Sequence, residues 1–259
     1  MYNLRRPRCI YPWIRTGLLL ILFFGALFHP DPVVAGPASV TQSIRWLRPG
    51  PEVADGSYLI NYTNLSLQTD RWSLRGGVSW LNWNSESPLV TPSDESGFGA
   101  FYLTAGHKIW GSHRSRHNMR STIWLRVRTK LPMKSDPSTL GSGKMDWGAS
   151  LFTSTHWNRL MVFTEFSYLD LGDPVNYTYR SLASASFSIS YRPRQFPLYP
   201  LASVLISSSS QTGDPAYAEV SGGVGMPMSR HTSLSAFYSY GLTRVSPDAS
   251  IAVLLSWRP

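Results

Sequence analysis

Basic side chains recur at alternate positions in several segments of this chain. Arg126, Arg128 and Lys130 are separated by the uncharged residues Val127 and Thr129. Alternate side chains of an extended strand share one face, so this spacing places positive charges in a row. Such a row selects anions where it faces water, and it forms ion pairs where it faces carboxylates. The candidates are Arg71, Arg75, Arg120, Arg126, Arg128, Lys130, Arg159, Arg180 and Arg192, set against Asp146, Glu165 and Glu219.

Histidine and serine residues suggest two other chemistries, metal binding and nucleophilic catalysis. His113 and His117 have arginine neighbours whose positive charge repels a cation, so we expect no metal site. A lipid hydrolase embedded in the membrane would need Ser, His and an acid together. Conceivable members are His156 with Asp146, and His231 with Ser233. The chain has no Gly-x-Ser-x-Gly turn, and its many serines make chance Ser-His neighbours common. We predict a protein that is not an enzyme and uses no cofactor.

The segments that carry these residues alternate in polarity with a period of two, which predicts β-strands. In the segment 118–131, Ile123, Leu125 and Val127 alternate with Thr122, Trp124, Arg126 and Arg128. The segments 71–80 and 177–192 show the same alternation of apolar and polar residues. A soluble β-sandwich would alternate too. Only 15% of the residues are charged, however, which favours lipid as the solvent of the apolar face.

Large aromatic residues lie mostly near the ends of these segments. Aromatic residues at strand ends form girdles at the two membrane interfaces of outer-membrane barrels, whereas a soluble core would place them at strand centres. The predicted girdle residues are Trp72, Trp80, Trp110, Trp147, Trp157, Tyr168, Tyr179, Tyr191, Tyr199, Tyr238 and Trp257.

The pattern predicts an all-β fold, a transmembrane antiparallel up-and-down β-barrel of about 12 strands. Eleven segments show the strand pattern, and Ser43–Leu47 supplies a twelfth that brings both ends of the chain to one side of the membrane. The eleven are 58–67, 71–83, 98–110, 118–131, 145–156, 159–170, 177–191, 198–208, 216–226, 231–242 and 249–257. Short links near 69–70, 156–158, 192–196 and 227–230 alternate with longer ones, as in outer-membrane barrels.

The first 35 residues have the pattern of an export signal. Four arginines precede the apolar run Leu18–Phe28, and Val33–Ala35 offers a cleavage site before Gly36. We expect residues 1–35 to be a cleaved signal peptide and residues 36–259 to form the barrel in the outer membrane. The formal net charge of +9 could suggest nucleic acid, but the basic residues are spread along strands and export excludes that partner.

The last strand resembles the closing strand that the outer-membrane assembly machinery reads. Ile251, Val253, Leu255 and Trp257 stand at alternate positions close to the end of the sequence. We therefore expect the assembly machinery to be a partner of this strand. The other expected contacts are outer-membrane lipid and small solutes, and we expect a monomer.

The sequence resembles a family of bacterial outer-membrane proteins named for the meta-pathway of phenol degradation, over most of residues 36–259. The resemblance lies in Asp70–Leu74, Gly97–Gly99, Lys130–Pro132, Leu140–Gly143 with Asp146, and Gly222–Gly225. Where the family pattern favours an acidic residue, this chain has Ala100. The resemblance implies a transporter-like barrel for hydrophobic or aromatic compounds.

These observations together predict a barrel that lets small molecules permeate by diffusion or facilitated permeation. The basic interior suits anions and the resemblance suggests aromatic compounds, and aromatic acids satisfy both. We expect many interior charges to pair across strands and to leave a constricted path. The alternatives are a lipid-modifying hydrolase of the outer membrane, which would gather Ser, His and an acid on one rim, and a non-transporting structural or adhesive barrel with long outer loops.

Overall fold

The computed structural model describes residues 38–49, 56–85, 95–112, 119–133, 144–172, 179–210 and 214–259. The expected signal peptide, His113 and His117 lie outside these residues. Among the described residues, no helix is long and apolar enough to cross a membrane.

Twelve antiparallel strands form a closed barrel in which each strand pairs with its neighbours in the chain and β1 pairs with β12. The strands are β1 (Ala38–Arg48), β2 (Gly56–Gln68), β3 (Trp72–Ser85), β4 (Glu95–Gly111), β5 (Met119–Pro132), β6 (Asp146–Trp157), β7 (Leu160–Asp170), β8 (Leu182–Tyr191), β9 (Tyr199–Ser207), β10 (Tyr217–Pro227), β11 (Thr232–Gly241) and β12 (Ala249–Trp257). The predicted fold class and strand number are confirmed.

The period of two in the sequence becomes an inner and an outer face of the barrel. On β5, Leu125 is 48% exposed whereas its neighbour Trp124 is 6% exposed. Large apolar side chains on the exposed face continue around the barrel, for example Leu151 on β6 and Val253 on β12. This surface has the composition of a lipid-facing belt, and the alternate residues point into the barrel.

The two ends of the barrel differ in their connections. At one end, called here the turn end, lie the start of β1, the end of β12 and short links such as the one from β6 to β7. Thr69 caps the β2–β3 turn by accepting a hydrogen bond from the Trp72 backbone N–H at 2.9 Å. Asn158 makes the tight β6–β7 turn with a φ of 55°, which asparagine tolerates better than most residues. The other end, called the loop end, carries the longer links.

The aromatic residues assigned to girdles are exposed on the outer face of the barrel, with two exceptions. Trp72 and Trp157 are exposed near the turn end, and Trp147 and Tyr168 are exposed near the loop end. The other predicted girdle residues on this face are Trp80, Trp110, Tyr191, Tyr238 and Trp257, all exposed.

Tyr179 and Tyr199 are buried, so their assignment to the girdles is wrong. β8 begins at Leu182 rather than near 177, so the alternation assigned to Tyr179 does not extend to it, and its ring joins the interior cluster around Leu169 and Leu205. Tyr199 points inward and lies over Gly225, where an added Cβ would stand 2.2 Å from the Tyr199 Cζ atom.

Candidate functional site

The interior near the turn end contains a water-accessible cavity of about 260 Å³, called here the first cavity. Residues from strands β2 to β7 line it, together with the β2–β3 turn. Its basic and histidine side chains are Arg75, Lys108, Arg120, Arg126 and His156. Asp70 is the single acidic residue among the described residues that line it. The first cavity is therefore a positively charged vestibule, which attracts anions.

Aromatic side chains lie among these charges and hold some of them in place. The Arg126 guanidinium lies 3.7 Å from the centre of the Phe152 ring, and the Lys108 ammonium lies 6.0 Å from the Trp124 ring. Cation–π attraction stabilises such pairs by about 0.5–1 kcal/mol at exposed sites. Trp124 Nε1 donates a hydrogen bond to Thr122 Oγ1 at 3.2 Å, which fixes the indole. The first cavity thus presents both positive charge and flat apolar faces.

Deeper in the barrel, three carboxylates lie beside basic partners. Lys130 Nζ is 2.5 Å from Asp146 Oδ2, and both side chains are almost completely buried. Arg126 Nη1 is 3.8 Å from Glu165 Oε2. Asp146 Oδ1 also accepts the Gly172 backbone N–H at 3.0 Å. Pairing lowers the cost of burying each charge, and it was the expected role of these acids.

The third carboxylate, Glu219, pairs with Arg45, a residue that our sequence-based list of interior charges omits. Arg45 Nη2 donates to both Glu219 oxygens at 3.1 Å and to Ser250 Oγ at 2.8 Å. The Tyr217 hydroxyl donates to Glu219 as well. The signal was present in the sequence, because Arg45 stands between Ile44 and Trp46 and therefore occupies the opposite face of β1.

The remaining predicted residues divide between the interior and the rims. Arg128 shares the inner face of β5 with Arg126 and Lys130. Arg71 is exposed in the β2–β3 turn, where its carbonyl accepts the Lys108 backbone N–H at 2.9 Å. Arg180 precedes β8 at the loop end and is exposed, so the structure does not bring it to the first cavity. Arg159 and Arg192 lie at the turn end, where the Arg192 backbone N–H donates to the Arg159 carbonyl at 2.9 Å.

The interior of the loop half is filled with large side chains. One buried cluster comes from β1 to β4, and within it the Tyr58 and Trp83 ring centres are 4.1 Å apart. Tyr62 and Tyr102 meet edge to face at 5.7 Å. Gly77 makes room for Tyr62, since an added Cβ would stand 2.3 Å from the Tyr62 hydroxyl oxygen. Packed rings therefore occupy the part of the interior that β1 to β4 enclose in the loop half.

The two histidines of the hydrolase alternative contact groups other than the partners expected for them. His156 and Asp146 lie at opposite ends of β6, and His156 Nε2 instead contacts Ser154 Oγ at 3.2 Å. His231 Nδ1 contacts the Arg258 carbonyl oxygen at 2.9 Å. No group of three His, Cys, Asp or Glu side chains in the described part of the chain is placed to hold a metal ion.

Comparison with known proteins identifies the fold. No protein-family model matches the sequence, and no curated protein matches it. An outer membrane channel from Pseudomonas putida F1 superposes with a TM-score of 0.69 at 13% identity, covering 88% of this chain and 98% of that one. NanC porin gives a TM-score of 0.55 at 8% identity, with coverages of 86% and 100%. Outer membrane phospholipase A from Escherichia coli gives 0.51 at 12% identity, with coverages of 94% and 98%. At these identities the similarity concerns the barrel fold.

Proposed function

We propose that this protein is an outer-membrane channel through which small anionic solutes permeate. The charge of the first cavity carries the proposal, because its described lining combines Arg75, Lys108, Arg120 and Arg126 with one acid, Asp70. Basic residues remain in excess when the ion pair of Arg126 with Glu165 is counted as neutral. The lipid-facing belt suits the outer membrane, and the fold is similar to that of a channel and a porin. In the usual orientation of such barrels, the turn end faces the periplasm. The expected signal peptide, cleaved between Ala35 and Gly36, would direct export of the chain towards the outer membrane.

Aromatic acids are the substrate class that fits this cavity best. The carboxylate of such a solute would meet Arg120 and Arg126, while its ring would contact the aromatic side chains of Trp124 and Phe152 beside the cations that they already hold. The resemblance to the phenol-degradation family points to aromatic compounds independently. Transport needs neither a cofactor nor an energy source in this scheme, since solutes follow their own gradient.

The test is single-channel recording of the refolded protein in a planar bilayer under a potassium chloride gradient. We expect a reversal potential biased towards chloride. Lys108→Gln with Arg120→Gln should move the reversal potential towards potassium. Arg194→Gln is the matched control, because Arg194 is an exposed arginine at the same end that does not line the first cavity. A folded but silent barrel, or a selectivity that the double variant leaves unchanged, would contradict the proposal.

The choice of aromatic acids is tested by current block in the same recordings. Benzoate added at the turn end should reduce the chloride current saturably, whereas acetate at the same concentration should reduce it far less. Phe152→Leu keeps an apolar side chain but removes the ring, so it should weaken the block by benzoate and leave chloride selectivity in place. Equal effects of benzoate and acetate on the wild type would remove aromatic acids from the proposal and leave anion permeation standing.

A further inference from the structure

A second cavity, of about 170 Å³, lies at the turn end on the side of the barrel away from the first cavity. The second cavity is lined by residues of β7, the β8–β9 link and strands β9 to β12. The first cavity is lined by residues of β2 to β7. Its basic and histidine residues are Arg192, Arg230, His231 and Arg258. None of the described residues that line it is an aspartate or a glutamate.

Hydroxyl groups surround these charges. Ser229, Thr232, Ser233 and Ser256 all line the second cavity. The Ser229 oxygen accepts the backbone N–H groups of His231 and Thr232 at 3.1 and 3.0 Å. Because these two bonds use the oxygen as acceptor, the Ser229 hydrogen can donate to an anion. The second cavity therefore offers several neutral donors in addition to its guanidinium groups.

The wall that carries these donors is held in a fixed shape. The Arg258 backbone N–H donates to the His231 carbonyl at 2.8 Å, and His231 Nδ1 contacts the Arg258 carbonyl oxygen at 2.9 Å. These reciprocal bonds join the β10–β11 turn to the end of β12. They also direct Nε2 of His231 away from the Arg258 carbonyl. Fixing donors before binding reduces the entropy lost when a ligand is held.

The number and type of donors distinguish among anions. A carboxylate has two oxygens and one negative charge, whereas a phosphate monoester offers three terminal oxygens and up to two negative charges. Arginine matches phosphate through paired N–H donors, and hydroxyl groups can take the third oxygen. Tyr199 and Met161 make part of the wall apolar.

We propose that the second cavity is a binding site for a phosphate group. The group can belong to free phosphate or to a small phosphate monoester. It can also belong to the head group of a phospholipid in the periplasmic leaflet of the outer membrane. The site is separate from the proposed permeation path through the first cavity, and its test measures binding rather than current. A failure of the channel proposal would therefore leave this proposal unaffected.

The first experiment is a calorimetric titration of the refolded protein with inorganic phosphate, in a neutral detergent that contains no phosphate. We expect saturable binding that sulfate competes for and that acetate at the same concentration does not displace. Arg192→Gln and Arg230→Gln should each weaken binding by about tenfold or more, the effect of losing one charge-assisted hydrogen bond. Arg194→Gln, which removes an exposed arginine two positions from Arg192 and outside the cavity, should leave the affinity unchanged.

A second arm distinguishes the two sources of the phosphate group. In nanodiscs of phosphatidylglycerol, unchanged phosphate affinity identifies free phosphate or a monoester as the ligand. Affinity that is present in detergent and lost in these nanodiscs identifies the lipid head group. Absence of saturable binding in detergent, or equal affinity in wild type, Arg192→Gln and Arg230→Gln, would overturn the proposal.

Discussion

Replacing Glu219 by glutamine should destabilise the barrel, because it removes the charge of one partner in a buried ion pair. Glu219 is 4% exposed as a side chain, and Arg45, its partner, is 11% exposed. The glutamine keeps the shape and one acceptor oxygen, so Tyr217 and Arg45 each retain a possible contact. What disappears is the negative charge that balances a buried guanidinium.

The magnitude follows from the contacts of Arg45. Removing one partner of a buried pair costs about 3–5 kcal/mol, because the other charge stays buried without its counter-charge. Arg45 also donates to Ser250 at 2.8 and 3.1 Å, and these bonds survive the change. We therefore expect the lower part of the range, about 3 kcal/mol. Arg45→Met combined with Glu219→Gln should cost less than the sum of the single changes, with a coupling of about 2 kcal/mol.

The assay is equilibrium urea unfolding in lipid vesicles, followed by tryptophan fluorescence. Asp248→Asn is the control, since it makes the same chemical change at an exposed position of the β11–β12 link and should stay within about 0.5 kcal/mol of wild type. A Glu219→Gln variant as stable as that control would refute the reasoning. So would a double mutant whose cost equals the sum of the single costs.

Three further changes test the lipid-facing belt, the contact between Gly77 and Tyr62, and the packed rings around Trp83. Leu125→Arg, at the centre of β5 on the lipid-facing belt, should lower the free energy of unfolding by about 2–4 kcal/mol in the same vesicle assay, with Leu125→Ala costing less. Gly77→Val should cost about 1–3 kcal/mol because the Tyr62 ring must move, whereas Gly222→Ala, with nothing within 4 Å of its added Cβ, should be close to neutral. Trp83→Ala removes a ring from the loop half and should raise single-channel conductance, and an unchanged conductance would place the narrowest point elsewhere.

The strands could be predicted closely because a barrel wall obeys one local rule. Each residue faces either lipid or the interior, so a period of two in polarity locates a strand without knowledge of its neighbours. Most predicted boundaries lie within two residues of the observed ones, as for β6, predicted at 145–156 and found at Asp146–Trp157. The short strand at Ser43–Leu47, added to complete an even number, is the second half of β1 (Ala38–Arg48) without its last residue.

The alternation rule fails where side chains inside the barrel pack against those of a neighbouring strand. Tyr179 precedes β8 and Tyr199 begins β9, and the sequence pattern assigns both to a girdle, but each fills interior space. The burial of Tyr199 depends on the absence of a side chain at Gly225 on the neighbouring strand. Such a contact joins residues 26 positions apart, and a reading of one strand at a time cannot reveal it.

The same limit applies to the charged interior. Alternation on β5 identified Arg126, Arg128 and Lys130 as one row, and the structure gives them that common face. It did not reveal which carboxylate each would meet. The Arg45–Glu219 pair spans β1 and β10, with β11 and β12 between them in the wall. Cross-barrel partners depend on strand register and on closure, which are properties of the whole sheet.

Charged groups are distributed unequally along the interior of the barrel. In the proposed channel, this distribution would let one region set the ion selectivity and another set the conductance. Asp146, Glu165 and Glu219 each lie beside a basic partner in the middle or the loop half, so that region carries little local excess of charge. Among the charged residues that line the cavities at the turn end, the basic ones outnumber the acidic ones in the described part of the chain. In the proposed channel, an anion would be enriched at the turn end and would then meet the packed rings of the loop half. Trp83→Ala should raise conductance with little change in reversal potential, whereas Lys108→Gln with Arg120→Gln should shift the reversal potential. Variants that altered both quantities together would show that one region controls charge selection and width, contrary to this division.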